Sequence, residues 1–399
     1  MACSIGANDV ANAMGTSVGS KTLTLKQAVL IASVAEFSGA FFVGGHVSDT
    51  IRKGILDPML FSSTPLHLVY GMIAALLASS IWLHFATYLG WPVSTTHSIV
   101  GGVLGFGIIG AGINAVSWAK MGSVVISWFV SPLFGGFCSF IVIRFIQNQI
   151  FEKRNPLLQA QKVVPYLTFL VFFILANAVV YKGLKNLHLN LMLSQSIMTG
   201  IAVGILAGWI TRILVVKVKI SPKAEIAEQY QVTEKIFKYL QAITAFYIAF
   251  AHGANDVANA VGPLAAVTGI LRTGNISIQV PMPLWILALG GGCIVLGLLV
   301  WGVRVIKTVG EKITEITPSR GFAASFGAAT VVLICSKMGL PISTTHTLVG
   351  SIVGVGLARG LAELDLRIVK TIVLSWFATV PFTAILAMIF YKVFLLVFE

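Results

Sequence analysis

The sequence predicts an all-α polytopic membrane protein: about twelve transmembrane segments in two inverted repeats, with broken or re-entrant helices at the midplane. Three observations carry that expectation. Of 399 residues, 57% are hydrophobic and only 10% are charged, with a mean hydropathy of +0.91. Apolar stretches close to the roughly 20 residues needed to cross a bilayer recur along the whole chain. Two polar blocks each occur twice and in the same order: Gly-Ala-Asn-Asp-Val-Ala-Asn-Ala at 6–13 and 253–260, and Pro-x-Ser-Thr-Thr-His at 92–97 and 341–346. The offsets, 247 and 249, are nearly equal, and Ser-Trp-Phe at 127–129 returns at 375–377 with an offset of 248. A fixed period of this kind marks a duplicated unit.

The apolar stretches fall at 25–47, 66–89, 119–143, 163–180, 191–216, 237–251, 284–303, 321–340 and 368–398. None shows the roughly 10-residue alternating segments of a membrane β-barrel. Each half holds five helical segments, counting those that carry the repeated blocks, and the stretches at 163–180 and 191–216 join the halves. Five is odd and two is even, so the second half enters the membrane from the opposite face. If the pair of segments around each Pro-x-Ser-Thr-Thr-His is a re-entrant hairpin, each half crosses three times, which is still odd. Inverted repeats are a recurrent plan of secondary transporters. The expected organisation is a first repeat at 1–150, a linker with two transmembrane helices at 151–235, and a second repeat at 236–399.

The net charge of +13 comes from 27 Lys and Arg against 14 Asp and Glu. Assigned to their nearest loops, nineteen of the basic residues gather on the face opposite the N-terminus and eight on the N-terminal face. The positive-inside bias makes the richer face cytoplasmic and places both termini outside a cell membrane. The basic residues are scattered over many loops and form no stripe, so they make no case for nucleic acid. Cys3, Cys138, Cys293 and Cys335 have no metal-ligand spacing and read as small packing residues. No ordered nucleophile, base and orienting group is visible, so an enzyme is not expected, and no cofactor either.

The repeated blocks carry the chemistry. Asn255 and Asn259 share a helical face and Asp256 lies one step round; Asn8, Asp9 and Asn12 repeat the set. The apolar helix at 237–251 runs straight into Asn255 and Asp256, and Gly262-Pro263 follows, so a break is expected there. An unpaired Asp at membrane depth calls for a cation, a proton or a water-filled cavity, although interhelical hydrogen bonding is the plainer alternative. In the second block Pro92 or Pro341 ends one helix and Ser94 or Ser343 is a natural cap for the next. A helix start lined by Thr95 and Thr96, or by Thr344 and Thr345, offers N–H and hydroxyl donors that suit a tetrahedral oxyanion. His97 and His346 either titrate, touch a ligand or serve as structural histidines. Glu36, inside the stretch at 25–47, is a coupling or gating candidate, with snorkelling or a helix–helix hydrogen bond as the equal alternative, and the corresponding stretch of the second half holds Gly290–292. Asp49, Arg52, Lys53 and Arg320 read as interface charges. Neither block contains Lys or Arg, so anion binding beside two aspartates requires small cations or protons to screen them.

With both pairs of motifs in view, the chain resembles the PiT inorganic phosphate transporter family, the sodium-dependent phosphate transporters of solute carrier family twenty. The resemblance runs almost end to end and extends to Gly-Thr-Ser-Val-Gly-Ser at 15–20, Asp-Thr-Ile-Arg-Lys-Gly at 49–54 and Thr-Pro-Ser-Arg-Gly-Phe at 317–322. It implies a twelve-helix symporter in the lipid bilayer, commonly a homodimer, that imports phosphate down a sodium gradient by alternating access. It further implies phosphate binding by Asn8, Asp9, Ser94, Thr95, Thr96, Asn255, Asp256, Ser343, Thr344 and Thr345. Sodium binding falls by the same resemblance to Asp9, Asn12, Asp256 and Asn259. The Ala-Asn-Asp-Val-Ala-Asn form in both halves resembles sodium-coupled members; proton-coupled uptake of phosphate, metal-phosphate or sulfate is the alternative. Ser325 stands where many eukaryotic members carry a glutamate, so a role for that carboxylate does not transfer. Only five residues precede the N-terminal signature, whereas some sixteen residues of helix precede the second copy; either the first helix is a half-helix or further residues stand upstream of Met1.

Overall fold

The computed structural model describes residues 1–45, 55–180, 192–219, 225–276, 282–302, 305–306, 316–338, 342–360 and 365–399. Asp49, Arg52, Lys53 and Pro341 lie outside these residues. The described chain is helical: α1 (Ala2–Ile5), α2 (Ala11–Gly19), α3 (Leu25–Val43), α4 (Pro65–Leu89), α5 (Thr95–Ala111), α6 (Trp118–Ile146), α7 (Pro156–Ala178), α8 (Leu193–Val216), α9 (Ile226–Thr273), α10 (Leu284–Trp301), α11 (Pro318–Lys337), α12 (Thr344–Leu357) and α13 (Leu366–Phe398). A π turn, Gly6–Val10, joins α1 to α2, so the two count as one interrupted helix and the described residues contain twelve. Among the described residues, eight helices are long and apolar enough to cross a bilayer.

Local sequence accounts for the ends. Thr24 caps α3 by accepting from Gln27 N at 3.3 Å, and the Gln27 side chain returns a bond to Thr24 N, a capping box. The α4 helix starts on Pro65 and stops at Gly90, whose φ of 70° is the left-handed conformation that glycine adopts freely. Helices α5 and α12 have 17 and 14 residues, about 25 and 21 Å of rise, short of the roughly 30 Å hydrocarbon core. Their first-turn residues, Thr95–Ser98 and Thr344–Thr347, are buried inside the protein.

One expectation changes. The break foreseen at Asn255–Asp256 does not occur: α9 runs unbroken for 48 residues through the signature and through Pro263. Proline removes one N–H, and the buried run from Tyr247 to Pro263 holds the helix straight by packing on every side. The interruption appears in the other copy, as the π turn around Asp9. The same long helix places the expected boundary at 235/236 inside α9.

Packing exchanges partners between the two halves. Helix α3 lies on α9 and α10 lies on α1, while α6 lies on α12 and α13 on α5. Glycines set the closest approaches. A Cβ on Gly253 would lie 2.3 Å from the Glu36 carbonyl oxygen, and one on Gly39 would lie 2.1 Å from that of Phe250. The α1–α10 crossing repeats the device: a Cβ on Gly6 would stand 1.8 Å from the Ile294 carbonyl oxygen, and one on Gly297 would stand 1.8 Å from that of Cys3. Small residues are how membrane helices reach such contact. The two crossings also align Glu36 with Ile294, not with the glycines at 290–292. All four cysteines are free thiols.

Candidate functional site

The four elements that carry the repeated blocks meet at one place. Asp9 and Asp256 are 2% and 0% exposed, and they accept from hydroxyls of both halves. Asp9 Oδ2 accepts from Thr95 Oγ1 at 2.5 Å, and Asp9 Oδ1 accepts from Thr345 Oγ1 at 2.5 Å. Asp256 Oδ2 accepts from Thr344 Oγ1, and Asp256 Oδ1 from Thr96 Oγ1 at 3.5 Å. Each aspartate thus takes one threonine from its own half and one from the other. Asn12 Nδ2 donates to Thr345 Oγ1 at 3.1 Å, and Asn259 Nδ2 donates to Thr96 Oγ1 at 3.1 Å and to Thr95 Oγ1 at 3.2 Å. The same two amides reach back to the aspartates, Asn12 to Asp9 at 3.4 Å and Asn259 to Asp256 at 3.3 Å. The amide oxygens, Asn12 Oδ1 and Asn259 Oδ1, are buried and carry no hydrogen bond among the described residues. Buried acceptors without donors are rare and suit a cation.

Asn8 and Asn255 stand behind this lattice. Asn8 Nδ2 donates to Thr87 Oγ1 at 3.1 Å and to the Trp91 carbonyl at 3.0 Å, and its Oδ1 accepts from Val93 N at 3.3 Å. Asn255 Oδ1 accepts from Ser336 Oγ at 3.0 Å, and its Nδ2 donates to the Ile342 carbonyl at 3.2 Å and to Asp256 Oδ1 at 2.9 Å. They brace the loops that lead into α5 and α12. Ser94 and Ser343 are the caps of those helices, accepting from His97 N and His346 N at 3.1 Å each.

The histidines of the second block point elsewhere. The His97 ring packs 3.7 Å from the Trp128 ring and the His346 ring 3.5 Å from the Trp376 ring, with the two imidazoles 4.3 Å apart, centroid to centroid. They tie the two helix tips together and hydrogen-bond neither aspartate.

The residue that sequence reasoning missed is His252. Its Nδ1 lies 2.8 Å from Glu36 Oε2, and its Nε2 lies 2.8 Å from Asp256 Oδ2 and 3.9 Å from Asp9 Oδ2. Glu36 is fully buried and joins the site through this ring. One atom from each of Asp9, His252 and Asp256 falls within 4.8 Å of the others. The duplication held a signal for it. At the offset of the signature, His252 corresponds to Ile5, and the helix crossings match Glu36 with Ile294; both isoleucines are fully buried. One of the two helix crossings therefore has an imidazole–carboxylate contact where the other has two aliphatic side chains.

Comparison with known proteins agrees with this arrangement. The sequence model of the phosphate transporter family matches residues 5–387. A protein of Pyrococcus horikoshii bearing the name phosphate permease is 49% identical over 398 residues, covering 100% of this chain and 96% of its own length. The chloroplastic inorganic phosphate transporter 2-1 of Arabidopsis thaliana is 45% identical, over 99% of this chain and 70% of the relative. A solved structure, the sodium-dependent phosphate transporter, superposes with a TM-score of 0.93 at 44% identity, covering 100% of this chain and 96% of that one. Relatives of this kind are permeases and transporters, which sets the enzyme alternative aside. A duplicated Asp–Thr lattice buried in a helical membrane protein, matched from end to end by permeases, has one reading: the chain belongs to the phosphate transporter family.

Proposed function

We propose that the chain imports inorganic phosphate by symport with sodium, binding both where the two halves meet and exposing the site to each face in turn. On this reading the halves are inverted repeats in a cell membrane, with both termini external, and two copies form the working unit. The observation that carries it is the crossed Asp–Thr lattice. Three of the four threonine hydroxyls, those of Thr95, Thr344 and Thr345, direct their one proton at an aspartate oxygen, and that of Thr96 lies 3.0 Å from the Ile342 carbonyl oxygen and 3.5 Å from Asp256 Oδ1. Phosphate needs those protons. Bare carboxylates would also repel it by about 4 kcal/mol per pair of unit charges at 4 Å and an effective dielectric of 20. Sodium beside Asp9 and Asn12 Oδ1, and beside Asp256 and Asn259 Oδ1, removes both obstacles. It screens the carboxylates and takes hydroxyl lone pairs, so that the hydroxyl protons turn to the anion. The first-turn N–H groups of α5 and α12 supply further donors. Anion binding then depends on cation binding, which is the coupling a symporter requires.

The test is uptake of labelled phosphate by vesicles containing the purified protein, with sodium, potassium and pH gradients varied separately. Accumulation driven by an inward sodium gradient, and its loss in Asp9→Asn and Asp256→Asn, is the expected result. Full gradient-driven uptake by both variants would sink the assignment. Proton coupling is the second reading, favoured by His252, an exchangeable group in contact with Glu36 and Asp256. Uptake in sodium-free buffer under a pH gradient alone would select it.

A further inference from the structure

A second polar cluster lies outside the Asp–Thr lattice, between α2, the first half of α9 and the first half of α11. Gln241 is fully buried. Its Nε2 donates to Thr16 Oγ1 at 3.3 Å and to Ser17 Oγ at 3.0 Å, and its Oε1 accepts from Thr244 Oγ1 at 3.4 Å. Thr16 and Ser325 share a hydroxyl contact at 3.0 Å. Thr16, Ser17, Thr244 and Ser325 are likewise fully buried. The amide sits over a notch: a Cβ on Gly321 would lie 2.9 Å from the Gln241 carboxamide carbon and nitrogen. The cluster is placed between the site and the face that carries Lys21 and Lys26. Thr16 is seven residues beyond Asp9, about 10 Å of helix, and α2 ends three residues later, at Gly19.

Three features separate this cluster from ordinary packing. Its five side chains are an amide and hydroxyls without charge, each as well satisfied by water as by its present partner. The bonds are neutral and worth about 0.5–1.5 kcal/mol each, so parting them is cheap. The duplicated half lacks the cluster: at the signature offset Thr16 and Ser17 correspond to Pro263 and Leu264. A contact needed only to hold the helices together would be expected in both copies.

We infer that Gln241, with Thr16, Ser17, Thr244 and Ser325, is the closed inner gate of a polar route by which phosphate and sodium pass between the site and the face carrying Lys21 and Lys26. In the open form α2 parts from α9 and α11, and the five side chains become the hydrated wall of the passage. The inference rests on the transport reading for its cargo but not for its geometry.

The experiment is Ser325→Cys in a variant with Cys3, Cys138, Cys293 and Cys335 replaced by alanine, reconstituted in vesicles and exposed from one face at a time to a membrane-impermeant cationic methanethiosulfonate. Thr244→Cys is the second reporter should the first fail to fold. Labelling from the Lys21/Lys26 face is expected, at least fivefold faster when Gln241→Met removes the amide at similar volume, and changed at least fivefold by sodium with phosphate. Labelling only from the opposite face, no labelling of either reporter in a variant that still transports, or a rate indifferent to Gln241→Met would overturn the gate. Labelling that responds to Gln241→Met but not to sodium and phosphate, in a protein without uptake, keeps the gate and overturns the symport reading instead.

Discussion

Thr345 donates a 2.5 Å hydrogen bond to Asp9, a residue 336 positions earlier in the chain. The contact crosses from one repeat to the other, and its counterpart, Thr96 to Asp256, crosses back. The two halves are therefore joined at the site by the hydroxyls that, in the proposed mechanism, bind the anion. Hydrogen bonds to charged groups contribute about 1.5–3 kcal/mol, a factor of roughly 10–150. Thr345→Val is expected to reduce sodium-driven phosphate uptake by at least tenfold, and Thr345→Ser, which keeps the hydroxyl, is expected to retain most of it. Initial rates against sodium concentration provide the check; equal rates for Val and Ser would remove the hydroxyl from the mechanism.

His252 and Glu36 form the asymmetric part of the site. Removing one partner of a buried charged pair costs about 3–5 kcal/mol, whereas replacing both by apolar groups of similar volume is often neutral. His252→Ile and Glu36→Ile should each lower the thermal midpoint in detergent. The double variant, which copies the buried Ile5 and Ile294 of the α1–α10 crossing, should be more stable than either single one. Additive losses in the double-mutant cycle would show that the two side chains do not act as a pair.

Ser94 and Ser343 cap helices, and their side chains are occupied by His97 N and His346 N. Ser94→Ala is expected to cost about 1 kcal/mol of stability, the usual worth of a serine cap. The phosphate concentration for half-maximal uptake should stay the same. A severalfold rise in that concentration without loss of stability would place Ser94 on the anion.

Gly253→Ala puts a Cβ 2.3 Å from the Glu36 carbonyl oxygen, so the α3–α9 crossing must open. Overpacking of this kind costs about 1–3 kcal/mol. Gly269→Ala, on the same helix with nothing within 4 Å, should be neutral or slightly stabilising. Thermal unfolding of the two variants side by side gives the comparison, and equal midpoints would contradict the close approach.

Much of the molecule was legible from residues alone. The apolar runs at 25–47 and 66–89 became Leu25–Val43 and Pro65–Leu89 because a run of that length has no other way to bury its backbone polar groups in lipid. Asp9, Asp256 and the threonine pairs stood out because polar residues kept in two copies against an apolar background are costly unless they serve something. Tertiary structure decided the rest. Whether the signature helix breaks depended on packing around α9, which no local pattern near Pro263 reveals. The separate duties of Asn8 and Asn12, four residues apart and of identical chemistry, came from which neighbours the folded chain brings within hydrogen-bond distance. His252 was hidden for the same reason: one imidazole in an apolar run means little until Glu36, 216 residues away, arrives against its Nδ1. Composition and repetition fixed what kind of groups had to meet; only the three-dimensional exchange of helices between the halves determined which atoms did.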